Sequence, residues 1–266
     1  MAETLDLEIQ GRPGDIEVLT FERTIGSAVD LLREFDSAIS GKPRGMLQWY
    51  IAKLSSNGHL LISFQSKTRS TIPVRKRISG LESAVTGSFI TGFDDLENRC
   101  ETPPYLSEFG LQLAGTLASV VGHGLSMIRF TSSDRAVEIT SATSENVSKL
   151  LPIKRKAIGS VEGKLEAINL HRNPRVLVYH SITNKAVTCE FEDDAFRQRA
   201  IELLGQRVTV FGTLHKNVKG DTLRVTMERI SRTEDVKLEV ISEDWHEPEF
   251  ASALSTAEYL RSIRGG

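Results

Sequence analysis

The sequence predicts an α+β protein: an N-terminal helix/hairpin two-layer domain over residues 1–152, then a small β-barrel of order β-β-β-α-β-β over 153–236. Three observations predict it. In 1–152, apolar residues recur at helical spacing in some segments and alternate in others. In 159–230, five alternating segments are interrupted once by a helical one. Finally, 266 residues with 39% hydrophobic and 26% charged side chains suit a folded chain long enough for two domains.

In the first part, Asp15–Phe21 reads as a short strand. Ser27–Ser40 reads as an amphipathic helix, with Ala28, Leu31, Leu32, Phe35 and Ile39 on one face and Gly41-Lys42-Pro43 as its stop. The strands MLQWYIAKL and HLLISFQSK flank Ser55-Ser56-Asn57-Gly58, where Asn and Gly tolerate positive φ, so a hairpin is expected. Trp49, Ile51 and Leu61 are expected to face a core. A helix follows over Val74–Ile90, and a second over Tyr105–Val121, opened by Pro103-Pro104. LSMIRFTS and RAVEITSA form another hairpin around Ser133-Asp134, and Glu145–Leu151 is a short helix.

In the second part, Pro152–Lys156 reads as a linker, followed by the strands SVEGKLEAINL, RVLVYHS and AVTCEFE. Alternation turns Val176 and Val178 to one face and Leu177 and Tyr179 to the other. DAFRQRAIELLG is helical, with Asp193-Asp194 at its start and Gly205 at its end. QRVTVFGTLHKN and DTLRVTMERI complete the set around Val218-Lys219-Gly220. Gly163 and Gly212 lie where a small barrel needs sharp curvature. This is the connectivity of the OB fold, which binds more often than it catalyses. Val161, Gly163 and Leu165, with Val208, Val210, Gly212 and Leu214, resemble the OB-like C-terminal module of small uncharacterised bacterial proteins. Some of those are encoded beside predicted ribonuclease toxins, so the resemblance implies an antitoxin-like regulatory role. It covers about a quarter of the chain and assigns no functional residue.

Charge is uneven. Residues 1–152 carry 15 Lys/Arg against 18 Asp/Glu, 153–236 carry 15 against 11, and 237–266 carry 3 against 6. The basic middle suits a nucleic-acid partner. On an OB-like barrel the contacts would be Arg172 and Arg175 near the first loop, Tyr179 on the second strand, and Lys216 and Lys219 at the last hairpin. The cations would neutralise phosphate and Tyr179 would stack on a base. Lys67, Arg69, Arg75, Lys76 and Arg77 form a second basic run around Ile72-Pro73, read as an exposed connection with an anion site as the alternative.

No Walker A sequence, dinucleotide fingerprint, HExxH or nucleophile elbow occurs, so a binding or regulatory protein without cofactor is expected rather than an enzyme. His171, His180 and His215 with Cys189 lack the short ligand spacing of structural zinc, and no metal is expected. Two cysteines give no disulfide framework, no apolar run suits a membrane span, and the N-terminus lacks a secretory pattern. A cytoplasmic protein is expected. The acidic tail, 237–266, offers Trp245, Phe250, Leu254, Tyr259, Leu260 and Ile263 as a partner-binding surface. The alternative reading is therefore an antitoxin-type regulator that binds a protein partner through this tail and the N-terminal domain. Oligomeric state stays open.

Overall fold

A computed structural model describes residues 4–11, 16–56, 59–73, 75, 77–133, 135–170, 173–193 and 195–233. The first sheet contains β1 (Thr4–Gly11), β2 (Leu47–Ser56), β3 (Leu60–Thr68), β4 (Leu125–Ser132) and β5 (Arg135–Ile139). Its order is β2-β3-β1-β4-β5, and every neighbouring pair is antiparallel. Such a sheet can bury one face and leave the other in water. Leu5, Leu7 and Ile9 of β1 point inward beside Ile62, Phe64, Ile128 and Phe130. The helices α1 (Val18–Ser40), α2 (Leu81–Asp94), α3 (Glu108–Ala118) and α4 (Ser141–Leu150) contribute to the same core. At its centre the Phe89 ring meets Phe35, Phe93 and Phe130 at centroid distances of 5.9, 4.9 and 4.8 Å.

Several boundaries differ from the sequence expectations for local physical reasons. The first strand is Thr4–Gly11, whose alternating Leu5, Leu7 and Ile9 find partners in both β3 and β4. Val18–Phe21 instead forms the first turn of α1. The second helix starts at Leu81, after Gly80 with φ 72°, so Arg75 and Arg77 belong to an exposed connection. The third starts at Glu108, because Tyr105 has φ 66° and the Ser107 hydroxyl caps the helix by accepting from the Gly110 N–H. A π-helical turn at Asp95–Arg99, absent from the sequence reading, carries Glu97. The Glu97 carboxylate accepts bonds from the backbone N–H and hydroxyl of Thr140 and Thr143, which fixes the start of α4. Ile51 lies on the core side of β2 yet is 58% exposed, since β2 is the sheet edge and its register shifts between Ile51 and Lys53. The expected turn residues Asn57 and Gly58 lie outside the described residues.

The second sheet contains β6 (Arg155–Asn169), β7 (Arg175–His180), β8 (Ala186–Glu190), β9 (Arg207–Lys216) and β10 (Thr222–Arg232), with α5 (Ala195–Glu202) before β9. β6 pairs with β9 over its first part and with β7 over its second, and β8 meets β10 in parallel. The order β10-β8-β7-β6-β9 closes on itself. Gly163 sits where β6 pairs with both neighbours, opposite His180 and Val208. A Cβ there would lie 2.1 Å from the Tyr179 carbonyl oxygen, and one on Gly212 would lie 2.0 Å from that of Thr226. Both positions therefore require glycine for close backbone approach.

Residues 1–233 form one compact unit. The Tyr105 N–H donates to the Asn184 carbonyl at 2.9 Å, and both residues have positive φ. Asn217, fully buried, donates from Nδ2 to Thr102 Oγ1 at 3.3 Å, and Leu223 of β10 joins the first core. This packing corrects the expectation of an OB-like barrel that offers an open sheet face. Val176 and Val178 fill the core of the second sheet, whereas Leu177 and Tyr179 pack with Ala38 and Tyr105 from the first part. The face assigned to a ligand strand is covered around Tyr179 by the first part and lines a cleft at Arg175 and Leu177.

Candidate functional site: a basic sheet edge and a polar cleft

The structure does not bring the sequence-predicted contacts into one nucleic-acid surface. Tyr179 is 7% exposed, and burial above all, then the carboxylates of Glu34 and Glu166, push its hydroxyl pKa up. Its ring is enclosed by the packing just described, so it offers no stacking face. Arg175 is exposed, opposite Asn169 on β6 and Glu190 on β8, and borders the same cleft as Tyr179. Lys216 and Lys219 do not line that cleft. The backbone carbonyl of Lys216 accepts the Lys154 N–H, and the N–H of Lys219 donates to Asn217, which is itself bonded to Thr102. Arg172 lies outside the described residues, as do Trp245, Phe250, Leu254, Tyr259, Leu260 and Ile263.

His171 lies outside the described residues, and His180 and His215 have ordinary partners. His180 Nδ1 accepts from the N–H groups of Ile182 and Thr183, and His215 Nε2 is 2.9 Å from the Thr226 hydroxyl. Burial, then Lys156 and Arg224, lower the His215 pKa. Among the described residues no cluster of His, Cys, Asp and Glu is placed to hold a metal ion. Cys189 is fully buried, and that burial raises its thiol pKa, the opposite of what a nucleophile needs.

Charge is concentrated elsewhere. Residues 37–81 hold eight Lys/Arg (Lys42, Arg44, Lys53, Lys67, Arg69, Arg75, Lys76 and Arg77) and no Asp or Glu. The other 221 residues hold 25 Lys/Arg against 35 Asp/Glu. This stretch folds into the β2–β3 hairpin and its flanks, at the open edge of the first sheet. A hydrogen bond of 2.8 Å from the Arg69 N–H to the Met46 carbonyl joins the two flanks. Beneath them the buried Asp36 carboxylate accepts the N–H groups of Met46 and Leu47 at 3.0 and 2.8 Å. Its pKa is raised by burial, against the lowering effect of those bonds.

The register sorts the hairpin's two faces. Trp49 and Ile51 pair with Ser66 and Phe64 on the core side, so Gln48, Tyr50, Gln65 and Lys67 face away from the helices, followed by Lys53 and Ser63. Tyr50 is 43% exposed, and Lys67 Nζ lies 5.3 Å from the centre of its ring. Among the described residues, none of Lys42, Arg44, Lys53, Lys67, Arg75 and Arg77 makes an ion pair, whereas the half-buried Arg69 favours the charged form of Asp36. The sequence reading found part of this run but averaged its charge over residues 1–152, where acidic helices cancel it. A 45-residue window without an acidic side chain was the signal that could have found it.

A second feature is a cleft of about 790 Å³ between α1 and α3 on one side and β6, β7, β8 and β10 on the other. Glu34 borders it and ties the helices together. Its Oε1 accepts the Ser107 N–H at 2.7 Å and the Ser107 hydroxyl at 2.5 Å. Burial raises the Glu34 pKa, and the Ser107 bonds oppose that rise. Across the cleft Arg224 reaches both Glu108 oxygens at 2.9 and 3.0 Å and Glu190 at 3.5 Å.

No protein-family model, curated protein or solved structure matches this chain. The resemblance to bacterial antitoxin-like proteins is therefore withdrawn, together with the OB-like family assignment and the regulatory role that rested on them. Among the described residues no helix is long and apolar enough to cross a membrane.

Proposed function

We propose that this protein binds single-stranded nucleic acid along the β2–β3 edge of the first sheet. The observation that carries the reading is the stretch 37–81, which holds eight Lys/Arg and no Asp or Glu and contains the edge hairpin, where Lys53 and Lys67 have no ion-pair partner among the described residues. Cations without carboxylate partners are free to replace the counterions of a phosphate backbone. Between them, Tyr50 offers an exposed ring, and Gln48, exposed, and Gln65, half-buried, are neutral side chains that can bond base edges. A single strand suits this face better than a duplex, because stacking on Tyr50 requires an unpaired base. Arg75 and Arg77 at one flank, with Lys42 and Arg44 at the other, extend the track for the backbone.

Fluorescence polarisation of labelled single-stranded RNA, single-stranded DNA and duplex tests the reading. Single strands should bind more tightly than duplex, and the charge reversals Lys53→Glu and Lys67→Glu together should weaken binding about tenfold at low salt while leaving it measurable. Lys216→Glu with Lys219→Glu should leave it nearly unchanged. Equal loss from both pairs, or no binding at low salt, would refute the assignment to this edge.

A further inference from the structure

We propose that the cleft between α1, α3 and the second sheet is a separate site for a neutral saccharide of one or two rings. Tyr179 is the first reason. Its side chain is more than nine-tenths buried, it borders the cleft, and its hydroxyl has no hydrogen-bond partner among the described residues. The hydroxyl is not itself one of the fully enclosed atoms, so an oxygen of a ligand in the cleft can reach it and bond it. Glu34 supplies a second polar group nearby, its Oε1 taken by Ser107 and its carboxylate also approached by the Gly110 N–H.

Charge balance selects the ligand class. The carboxylates and guanidinium groups that border the cleft largely answer one another, Arg224 with Glu108 and Glu190, and Arg33 with Asp30 at 3.1 Å. An ionic ligand gains little from such a compensated field. A hydroxyl-rich neutral ligand gains from every group in it, since carboxylates accept from hydroxyls and guanidinium groups donate to them. Phe109, 60% exposed at the rim, provides an apolar platform for the C–H face of a sugar ring. The volume of about 790 Å³ lies within the range of small-molecule sites. Interior sites of this kind combine an apolar wall with a few convergent polar groups.

The test is isothermal titration of the full chain with glucose, galactose, N-acetylglucosamine, maltose and cellobiose, with gluconate and glucosamine as charged counterparts. At least one neutral sugar should bind saturably, and more tightly than either charged analogue. Tyr179→Phe keeps the ring and its packing but removes the hydroxyl, and should weaken that binding about tenfold. Phe109→Ala should weaken it as well, and the melting temperature of each sugar-free variant shows that the fold persists. Lys53→Glu with Lys67→Glu should leave sugar binding intact, which separates this site from the nucleic-acid edge. Three results would overturn the inference: no neutral sugar bound at about 50 mM, well beyond a millimolar site; a preference for gluconate or glucosamine; or unchanged affinity in Tyr179→Phe.

Discussion

The nucleic-acid reading makes a quantitative demand on salt dependence. At minimum four of the six exposed cations on the track, Lys53 and Lys67 on the sheet and Arg75 and Arg77 beyond β3, meet phosphates without breaking an ion pair among the described residues. Each phosphate contact on a single strand contributes roughly −0.7 to the slope of log affinity against log salt. Four contacts give about −2.8, so a fourfold rise in salt, from about 50 to 200 mM, should weaken binding about 50-fold. Lys53→Glu with Lys67→Glu removes two of the four contacts. The slope should fall to about −1.4, and the same salt step should then cost only about sevenfold. Polarisation titrations at five salt concentrations measure both slopes. An unchanged slope in the double variant, with affinity lowered or not, would mean that these lysines do not contact phosphate and that the reasoning fails.

Three further expectations concern the scaffold. Gly212→Ala places a Cβ about 2.0 Å from the Thr226 carbonyl, backbone that cannot swing aside, and should cost about 3 kcal/mol or more in urea denaturation; a loss below about 1 kcal/mol would refute the close approach. Glu34→Gln keeps an acceptor for Ser107 but removes a desolvated charge. Because the folded pKa is raised, the wild-type carboxyl favours the fold below the ordinary value of 4.5 and loses that advantage as pH rises through its folded pKa. The Gln variant should therefore gain on wild type with increasing pH in thermal melts, and a gap that shrinks instead would contradict the sign. Arg224 and Glu108, with side chains 37% and 17% exposed, join β10 to α3. A double-mutant cycle should give a coupling of about 1 kcal/mol, reduced by solvent screening and falling with salt; zero coupling at low salt would place the junction's strength elsewhere.

Local patterning was legible wherever one period dominated. The apolar face of Ser27–Ser40, the hairpins at 47–68 and 125–139, and the opposite faces of Val176 and Leu177 follow from spacing alone. Helix starts were less so, because they depend on particular backbone states. Gly80 and Tyr105 adopt positive φ, and Ser107 supplies a cap, within segments whose apolar spacing continues past them. The π-helical turn that aims Glu97 at Thr140 and Thr143 has no periodic signature.

The candidate sites show where sequence stops. Its alternation placed Tyr179 on the face away from the second core, but what covers that face comes from Ala38 and Tyr105, distant in the chain. A residue's alternation fixes which side it takes; only the packing of other elements decides whether that side meets water, a cleft or protein. The basic run over 37–81 was written in the sequence, since charge sums need no fold. That Lys53 and Lys67 share one sheet edge, beside an exposed Tyr50, was decided by the pairing of β2 with β3 and by the order that leaves β2 outermost. The reason is physical: local periodicity acts between residues a few positions apart, whereas exposure and charge pairing are set by segments that meet only when the chain has folded.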